Sequence, residues 1–393
     1  MERQTDVIVV GARVAGAATA MLLARAGLSV VLLDRERPGA DTLSTHALMR
    51  GGVLQLLRWG LLDRIIAAGT PPITTTTFHY TDSDIDVAIK PSAGVGALYA
   101  PRRTVLDPIL VSAAEAAGVD VRYGNRVVAV SHDGGSVAGV VVRDAQGVHR
   151  HISARLVIGA DGRHSTIARL VAAPTTHQAR HTSAFAYGYF RGLTASGYEW
   201  AYRPEGAAGF IPTNDHLTCV FAGHTPSRIG RGGPATLRDV VAQASPGMGR
   251  RLRTGTLASP VRTFTGEPGR LRRPWGPGWA LVGDAGSWKD PISAHGLTDA
   301  LRDAELLARA VVSDLDGRPR AYPAYEQVRN RLTIPILEGG EEIAAMCWDD
   351  VRIVELLRGL NSAMNEELET ILGFDTGPAL LQDRRNQAPA LLA

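Results

Sequence analysis

Residues 6–34 read DVIVVGARVAGAATAMLLARAGLSVVLLD. A short apolar run, Val7 to Val10, meets Gly11. A small-residue segment then extends to Gly27, and a second apolar run, Val30 to Leu33, closes on Asp34. This spacing predicts strand, tight turn, helix and strand, with an acid ending the second strand. Gly11 permits a turn that a Cβ would obstruct. The helix after it opens with backbone N–H groups lacking intrahelical acceptors, and its dipole favours an anion there. Gly16 and the following alanines let the helix lie close on the sheet. Asp34 can accept hydrogen bonds from a ribose diol. The stretch therefore predicts a dinucleotide site, with Gly11, Ala12, Arg13, Val14, Ala15 and Gly16 around the pyrophosphate and Asp34 and Arg35 at the ribose. The fingerprint G-x-G-x-x-G would place glycine at position 13, where this chain has Arg13. The backbone can still approach a phosphate if that side chain points away. The plain alternative is a βαβ unit with a tight turn and no ligand.

The 393 residues are 45% hydrophobic, enough for a sizeable core and more than one packing unit. No uninterrupted apolar run reaches the length of a membrane span. The chain enters a strand almost at once, leaving little room for a secretory signal. Its two cysteines, Cys219 and Cys347, lie far apart, and free thiols in a cytoplasmic protein are the expectation. The net charge is +3, and only Lys90 and Lys289 of the 42 basic residues are lysine. The arginines are scattered. The densest group, Arg250, Arg251, Arg253, Arg270, Arg272 and Arg273, lacks interleaved aromatics, so nucleic acid is not an expected partner.

Beyond Asp34, Leu48, Val53, Leu54, Leu56, Leu57 and Leu61 recur at helical spacing and predict a helix starting near Met49. The polar lead-in Asp41 to His46 suits a cofactor wall or, through Ser44 and Thr45, a helix cap. His46 is a candidate active-site group. Residues 71–99 alternate and predict strands. A helix is expected from Pro108 to Ala117, then a strand, a three-stranded meander, and a return strand ending in Gly159-Ala160-Asp161-Gly162. From about 174 to 264, Phe185, Tyr187, Tyr189, Trp200, Tyr202, Phe210 and Phe221 mark a second antiparallel sheet. His177 and His181 are four apart, but no third ligand accompanies them, so no metal site is expected. Trp279 to Asp284 reads as a strand ending at an acid, and Gly296 opens a helix. Residues 322–374 are expected to be mostly helical, with a weakly ordered tail after Gly377.

Three signals stand in order: GARVAG with Asp34, GADG at Gly159 to Gly162, and Gly283-Asp284-Ala285 followed by DPISAHGL. Together they resemble the para-hydroxybenzoate hydroxylase class of FAD-dependent, single-component aromatic monooxygenases, over roughly residues 5–340. The resemblance implies an α/β fold: a Rossmann-like FAD-binding domain, an interleaved antiparallel β-sheet substrate domain and a helical C-terminal region. The implied division assigns residues 1–75, 99–173 and 265–340 to the FAD-binding domain. Residues 76–98 and 174–264 go to the substrate domain, and 341–393 to the helical region and tail.

On the same resemblance, Gly11 to Gly16 and Asp34 hold the ADP half of FAD, and Arg103 reaches its pyrophosphate side. Val127 touches the adenine by its backbone, and Asp161 supports FAD and nicotinamide. Gly283 and Asp284 meet the ribityl or pyrophosphate portion, while Pro291, Gly296 and Leu297 lie along the isoalloxazine ring. A helix start at Gly296 would also stabilise negative charge on a reduced ring. The implied activity uses NAD(P)H and molecular oxygen, passes through a C4a-hydroperoxyflavin, and oxygenates an aromatic or electron-rich small molecule of catabolism or secondary metabolism. His46, His216 and His224 are candidate bases. Against the usual P-x-G-x-G-x-N loop, Ser293, Thr298 and Asp290 are departures.

Two rivals share the scaffold. Flavin-dependent halogenases carry W-x-W-x-I-P and a relay lysine; here only Ile211-Pro212 remains, and Lys90 is the lysine nearest the expected region. A polyprenyl-type FAD reductase is the second. A non-catalytic flavin-binding accessory protein is a third reading. A monomer or homodimer is expected, with Ile343, Met346, Ile353, Leu356, Leu357 and Leu360 covering the core or forming a dimer face.

Overall fold

A computed structural model describes residues 5–80 and 83–376; the expected tail after Gly377 lies outside them. The chain opens with β1 (Thr5–Val10), α1 (Val14–Arg25), β2 (Val30–Leu33), α2 (Arg50–Arg58), α3 (Leu62–Ala67), β3 (Thr75–His79), β4 (Asp84–Ala88) and α4 (Arg103–Ala116). It continues through β5 (Asp120–Arg122), β6 (Arg126–Asp133), β7 (Ser136–Arg143), β8 (His149–Gly159), α5 (Thr166–Leu170), β9 (Thr175–Gln178), β10 (Ala184–Arg191), β11 (Tyr198–Arg203), β12 (Gly206–Thr213) and β13 (Leu217–His224). Then come α6 (Pro226–Ile229), α7 (Pro234–Ala244), α8 (Pro246–Thr254), β14 (Thr256–Leu257), β15 (Arg262–Phe264), β16 (Arg270–Arg272), β17 (Trp275–Gly276), β18 (Trp279–Leu281) and β19 (Ser287–Trp288). Three long helices finish it: α9 (Gly296–Leu315), α10 (Ala321–Ala344) and α11 (Asp350–Leu372).

The first sheet runs β17-β18-β8-β1-β2-β5, with β6 and β7 attached through β8. Its centre is parallel: Val7 faces Val30 on one side and Leu156 on the other. Helix α1 lies close on this core because the residues of its first two turns are small. Val14, Ala17, Ala18 and Ala20 to Ala24 are all buried. The second sheet runs β14-β10-β13-β12-β11-β3-β4, with β15 also on β10. Strand β3 pairs in parallel with β11, so residues 75–88 join a sheet otherwise built from 184–264. A three-stranded sheet, β19-β16-β9, carries His177 in a ladder against Leu271.

Two expectations need correction. The region 174–264 was read as strands, yet α6, α7 and α8 lie within it. Each opens on proline at its first turn, a position where the missing N–H is harmless. Leu237, Val240, Val241, Met248 and Leu252 then cover Phe190, Phe210 and Val220 on one face of the second sheet. Helix α4 also starts at Arg103, five residues before Pro108, which sits inside it.

The opposite face of that sheet carries Phe185, Tyr187, Tyr189, Trp200, Tyr202 and Phe221. These pack with Ile336, Ile343, Met346, Trp348, Ile353, Leu356 and Leu360. The C-terminal apolar stripe therefore covers the core. Burying each such side chain contributes about 1.5–3 kcal/mol.

Candidate functional site

A cavity of about 620 Å³ opens between the first sheet, the second sheet and the start of α9. It is lined by Gly11, Arg13, Val14, Ala15, Asp34, Arg35 and Val127 and by Pro291, Gly296 and Leu297. Arg103, Asp161, Asp284 and His46 line it as well. Ala12, Gly16 and Gly283 lie outside its lining and shape its walls.

The glycine turn is fixed by contact. Gly11 has φ +107°, and a Cβ there would come within 2.5 Å of the Ala160 carbonyl oxygen. A Cβ on Gly16 would stand 1.8 Å from the Gly11 oxygen. Gly283, at φ +59°, would drive a Cβ to 2.8 Å from Ala15 Cβ, so the first and third motifs touch. Arg13 resolves its departure from the fingerprint. It is the N-cap of α1 with φ −97° and ψ −168°, extended backbone open to any residue, and its guanidinium reaches toward Asp107 at 3.9 Å. Asp34 already accepts from Ala12 N–H at 2.7 Å and from Glu36 N–H at 2.8 Å, which closes the turn onto β2. Arg103 forms a two-pronged pair with Asp107 at 2.8 and 2.9 Å.

Asp161 caps α5, accepting from Ser165 Oγ, Thr166 N–H and Ile167 N–H. Burial pushes its carboxyl up, against those hydrogen bonds. Asp284 is pushed up to about 6, by burial first, with Lys289 opposing.

The departures in the loop before α9 have structural partners. Asp290 is buried and accepts from Ser183 N–H at 2.7 Å, from Ser183 Oγ, from Thr182 Oγ1 at 3.0 Å and from Ile292 N–H at 3.0 Å. It ties the loop to the second sheet. Thr298 Oγ1 accepts from Met49 N–H at 3.1 Å, so α9 supplies the cap of α2. Ser44 and Thr45 do not cap that helix; Ser44 N–H donates to Tyr187 Oη at 3.2 Å instead. Met49, the N-cap residue, offers no side-chain acceptor of its own.

His46 is 1% exposed and holds φ +70°, a conformation disfavoured for side chains other than glycine. Its Nε2 hydrogen-bonds Tyr189 Oη, and its Nδ1 has no partner among the described residues. Burial, then Arg103, Arg102 and Arg262, hold His46 well below the usual histidine range, so it is neutral. Burial likewise keeps Tyr189 protonated. Phe185, Tyr187, Phe264 and Trp288 complete this wall. Phe264 and Trp288 meet edge to face at 5.8 Å, with Arg163 over both rings at 5.3 and 5.4 Å. Arg262 closes on Asp41 at 2.9 Å beside them.

The other histidine candidates fall away. His216 is an exposed turn residue, His224 bonds to Thr225, and neither lines the cavity. The lysine expectation also changes. Lys90 is exposed, whereas Lys289 lines the cavity, 2.8 Å from Asp299. Lys289 stood in the sequence between two quoted motifs, but nothing in its spacing marked it as buried. His295, also in the lining, was likewise passed over as a loop residue.

The residues present fit FAD. A glycine turn that no Cβ can enter leaves room beside the first amides of α1, an acid stands at the end of β2, and arginines 13, 35 and 103 line the cavity. A Cβ on Gly296 would meet open space. No described helix is long and apolar enough to cross a membrane.

The FAD binding domain family matches residues 4–335. The chain is 28% identical to a probable electron transfer flavoprotein-quinone oxidoreductase of Escherichia coli, covering 88% of this chain and 86% of the relative. It is 27% identical to 4-methyl-5-nitrocatechol 5-monooxygenase of a Burkholderia species, over 80% of this chain and 61% of that protein. Among solved structures, the myxobacterial FAD-dependent chondrochloren halogenase CndH superposes with a TM-score of 0.75 at 25% identity. That superposition covers 84% of this chain and 80% of that one.

Proposed function

The chain belongs to the FAD binding domain family of class A flavin monooxygenases and is an FAD-dependent oxidoreductase; on that premise we propose that it consumes NAD(P)H and oxygenates an aromatic or electron-rich small molecule. The observation that carries this reading is the aromatic wall facing a neutral, buried histidine inside the dinucleotide cavity. Such a wall suits a flat apolar ligand with one polar handle.

Bound FAD supplies hydride acceptance and the delivery of one oxygen atom from O₂. The chain's residues supply the rest. Gly11 to Gly16, Asp34, Arg35, Arg103 and Val127 would hold the nucleotide half, with Asp161 and Asp284 contributing beside them. Pro291, Gly296 and Leu297 would face the ring, where the first amides of α9 would favour negative charge. His46, joined through Nε2 to Tyr189 Oη, is the group proposed to take the proton of a substrate hydroxyl. Phe185, Tyr187, Phe264 and Trp288 sandwich the substrate and exclude water. Residues 76–98 and 174–264 form the substrate side in this reading, and the remainder up to 340 the cofactor side.

A second reading, reduction of a quinone, is favoured by the resemblance to the quinone oxidoreductase and uses the same wall. The halogenase reading loses support from Lys289, whose side chain is 3% exposed and already paired with Asp299. The deciding experiment follows NADH and NADPH oxidation by the FAD-loaded protein with phenols, indoles and quinones under ¹⁸O₂. One compound that raises oxidation and gains one labelled oxygen supports the reading. Quinone reduction without label incorporation, or oxidation that no compound stimulates, overturns it.

A further inference from the structure

The C-terminal apolar stripe covers the core, yet one edge of the second sheet stays open. Strand β4 ends that sheet and pairs only with β3. All of its residues are exposed, with Ile85 at 48% and Val87 at 44%. No other strand among the described residues carries two exposed large hydrophobic side chains. The ladder to β3 shows which backbone groups are free. Tyr80 N–H donates to Ser83 O at 2.9 Å, and Ile89 N–H donates to Thr74 O at 2.8 Å. Ser83, Ile85, Val87 and Ile89 therefore turn their backbone groups toward β3. The N–H and C=O groups of Asp84, Asp86 and Ala88 point outward, where no other described strand meets them. Such an edge is a template for a further strand.

The stretch Asp84 to Lys90 reads DIDVAIK and complements its own reverse about Val87. Set antiparallel to a second copy in that register, Val87 meets Val87 and Ile85 meets Ile89 on one face. On the other face Asp84 meets Lys90 at both ends, and Asp86 meets Ala88. The outward-pointing residues then oppose one another, as backbone bonding requires, and the remaining pairs bring their side chains close. The two neighbouring registers fail. Centring on Asp86 sets that carboxylate against its own copy. Centring on Ala88 sets Asp84 against Ser92, whose N–H and C=O are already paired with Val95 at 3.1 and 2.9 Å. Lys90 is one of two lysines among 42 basic residues, and its ammonium has no partner among the described residues. Its carbonyl is held by Arg50 Nη2 at 2.8 Å, which leaves the Lys90 N–H for the ladder. Asp84, 65% exposed, uses Oδ1 on His79 Nδ1 at 2.7 Å and keeps Oδ2 open. Charges on an edge strand normally keep other strands away. Here their order admits one sequence and repels most.

We propose that this protein self-associates through β4: two copies pair edge to edge about a two-fold axis at Val87 and join their second sheets into one. The occupant is a second copy because the charge pattern answers itself. Any other strand would have to bring a cation opposite Asp84 and an acid opposite Lys90 in the same register. Ile85 lies beside Phe78 on β3, and both Phe78 and Ile89 pack on the aromatic core. Pairing therefore continues that apolar layer across the axis. The contact is isologous and closes at two copies. It is small beside a standard interface of about 1,600 Å², so the dimer dissociates on dilution. No residue of β4 lines the cavity, and the inference stands apart from the reaction proposed above.

The test is sedimentation velocity of the FAD-loaded protein from about 1 to 100 μM. Wild type is expected to pass from monomer to dimer in that range, with no larger species. Lys90→Glu and Asp84→Lys each set like charges together at both ends and are expected to weaken the dimer about tenfold or more. The D84K/K90E double variant exchanges the charges and is expected to return to within about threefold of wild type. Ala88→Pro deletes an outward N–H and leaves the ladder to β3 intact. It should remove the dimer while flavin content and melting temperature hold. A protein that stays monomeric at about 100 μM overturns the proposal. So does a dimer that all these variants leave unchanged, since it would use another face. Open-ended assemblies, or a double variant as weak as either single one, overturn it as well.

Discussion

Substituting Gly11 by alanine separates two strains that the glycine turn avoids. The backbone there has φ +107°, and an added Cβ would meet Ala160 O at 2.5 Å and Ala160 C at 2.8 Å. Ala160 is the residue after β8, in the centre of the first sheet, and cannot withdraw without breaking its own hydrogen bond to Val10 at 2.8 Å. Gly27 is the natural control. Its φ is +96°, but a Cβ there meets nothing within 4 Å. Gly27→Ala therefore carries only the conformational term, about 1–2 kcal/mol. Gly11→Ala adds an overpacking term of about 1–3 kcal/mol, for a total of roughly 2–5 kcal/mol. Urea unfolding of both apoproteins reads the difference as a lower midpoint at unchanged slope. FAD affinity, followed by quenching of flavin fluorescence, should drop at least about tenfold in G11A, since a displaced turn costs one good charge-assisted contact. It should hold in G27A. If the two variants unfold at the same midpoint and bind FAD alike, contact with Ala160 does not fix the turn, and the account of the site's first motif fails.

Lys289→Met leaves the buried Asp299 with one partner fewer, so stability should fall by about 3–5 kcal/mol by urea midpoint, with partial recovery in the K289M/D299N double variant. Asp284 has its folded-state pKa raised to about 6, so its contribution is fully present below the ordinary carboxyl range and is lost as pH rises through about 6. Asp284→Asn should remove that stretch of the stability–pH curve between about pH 4 and 7, and an identical slope in both proteins would contradict the assignment. His46→Gln should bind FAD normally while substrate-stimulated oxidation falls about a hundredfold. Tyr189→Phe should give a smaller loss with a shifted pH profile; unaltered turnover in both would remove His46 from the reaction.

The cofactor half was legible because its signals are local. Gly11, Asp34 and Gly296 each act within a few residues of a strand end or helix start, where turn geometry and helix dipoles operate. The fold followed from the same logic, since a parallel βαβ unit admits few arrangements. The short helices of 226–254 were missed although Pro226, Pro234 and Pro246 all signalled helix starts. The dense arginines there, Arg250, Arg251 and Arg253, masked a narrow apolar stripe. His295 was hidden for a different reason. Its partner Glu367 lies 72 residues away on another helix, and no periodicity links them. Lys289 is alike: only the assembled loop shows that its ammonium is enclosed.

The order of strands in the first sheet has a consequence for biosynthesis. Strand β8 pairs with β1 on one side, yet its other neighbour in the parallel core is β18, Trp279–Leu281. A ribosome must therefore complete about 280 residues before that edge is covered. The hairpins β10 to β13 lie entirely upstream and close through contacts between near neighbours. The strands that carry Phe185 and Tyr187 can thus assemble on the nascent chain, still without Trp288, while Leu156 to Gly159 waits with open backbone donors and acceptors, an adhesive surface in a crowded cell. Chains stopped short of Trp279 should be chaperone-bound or insoluble.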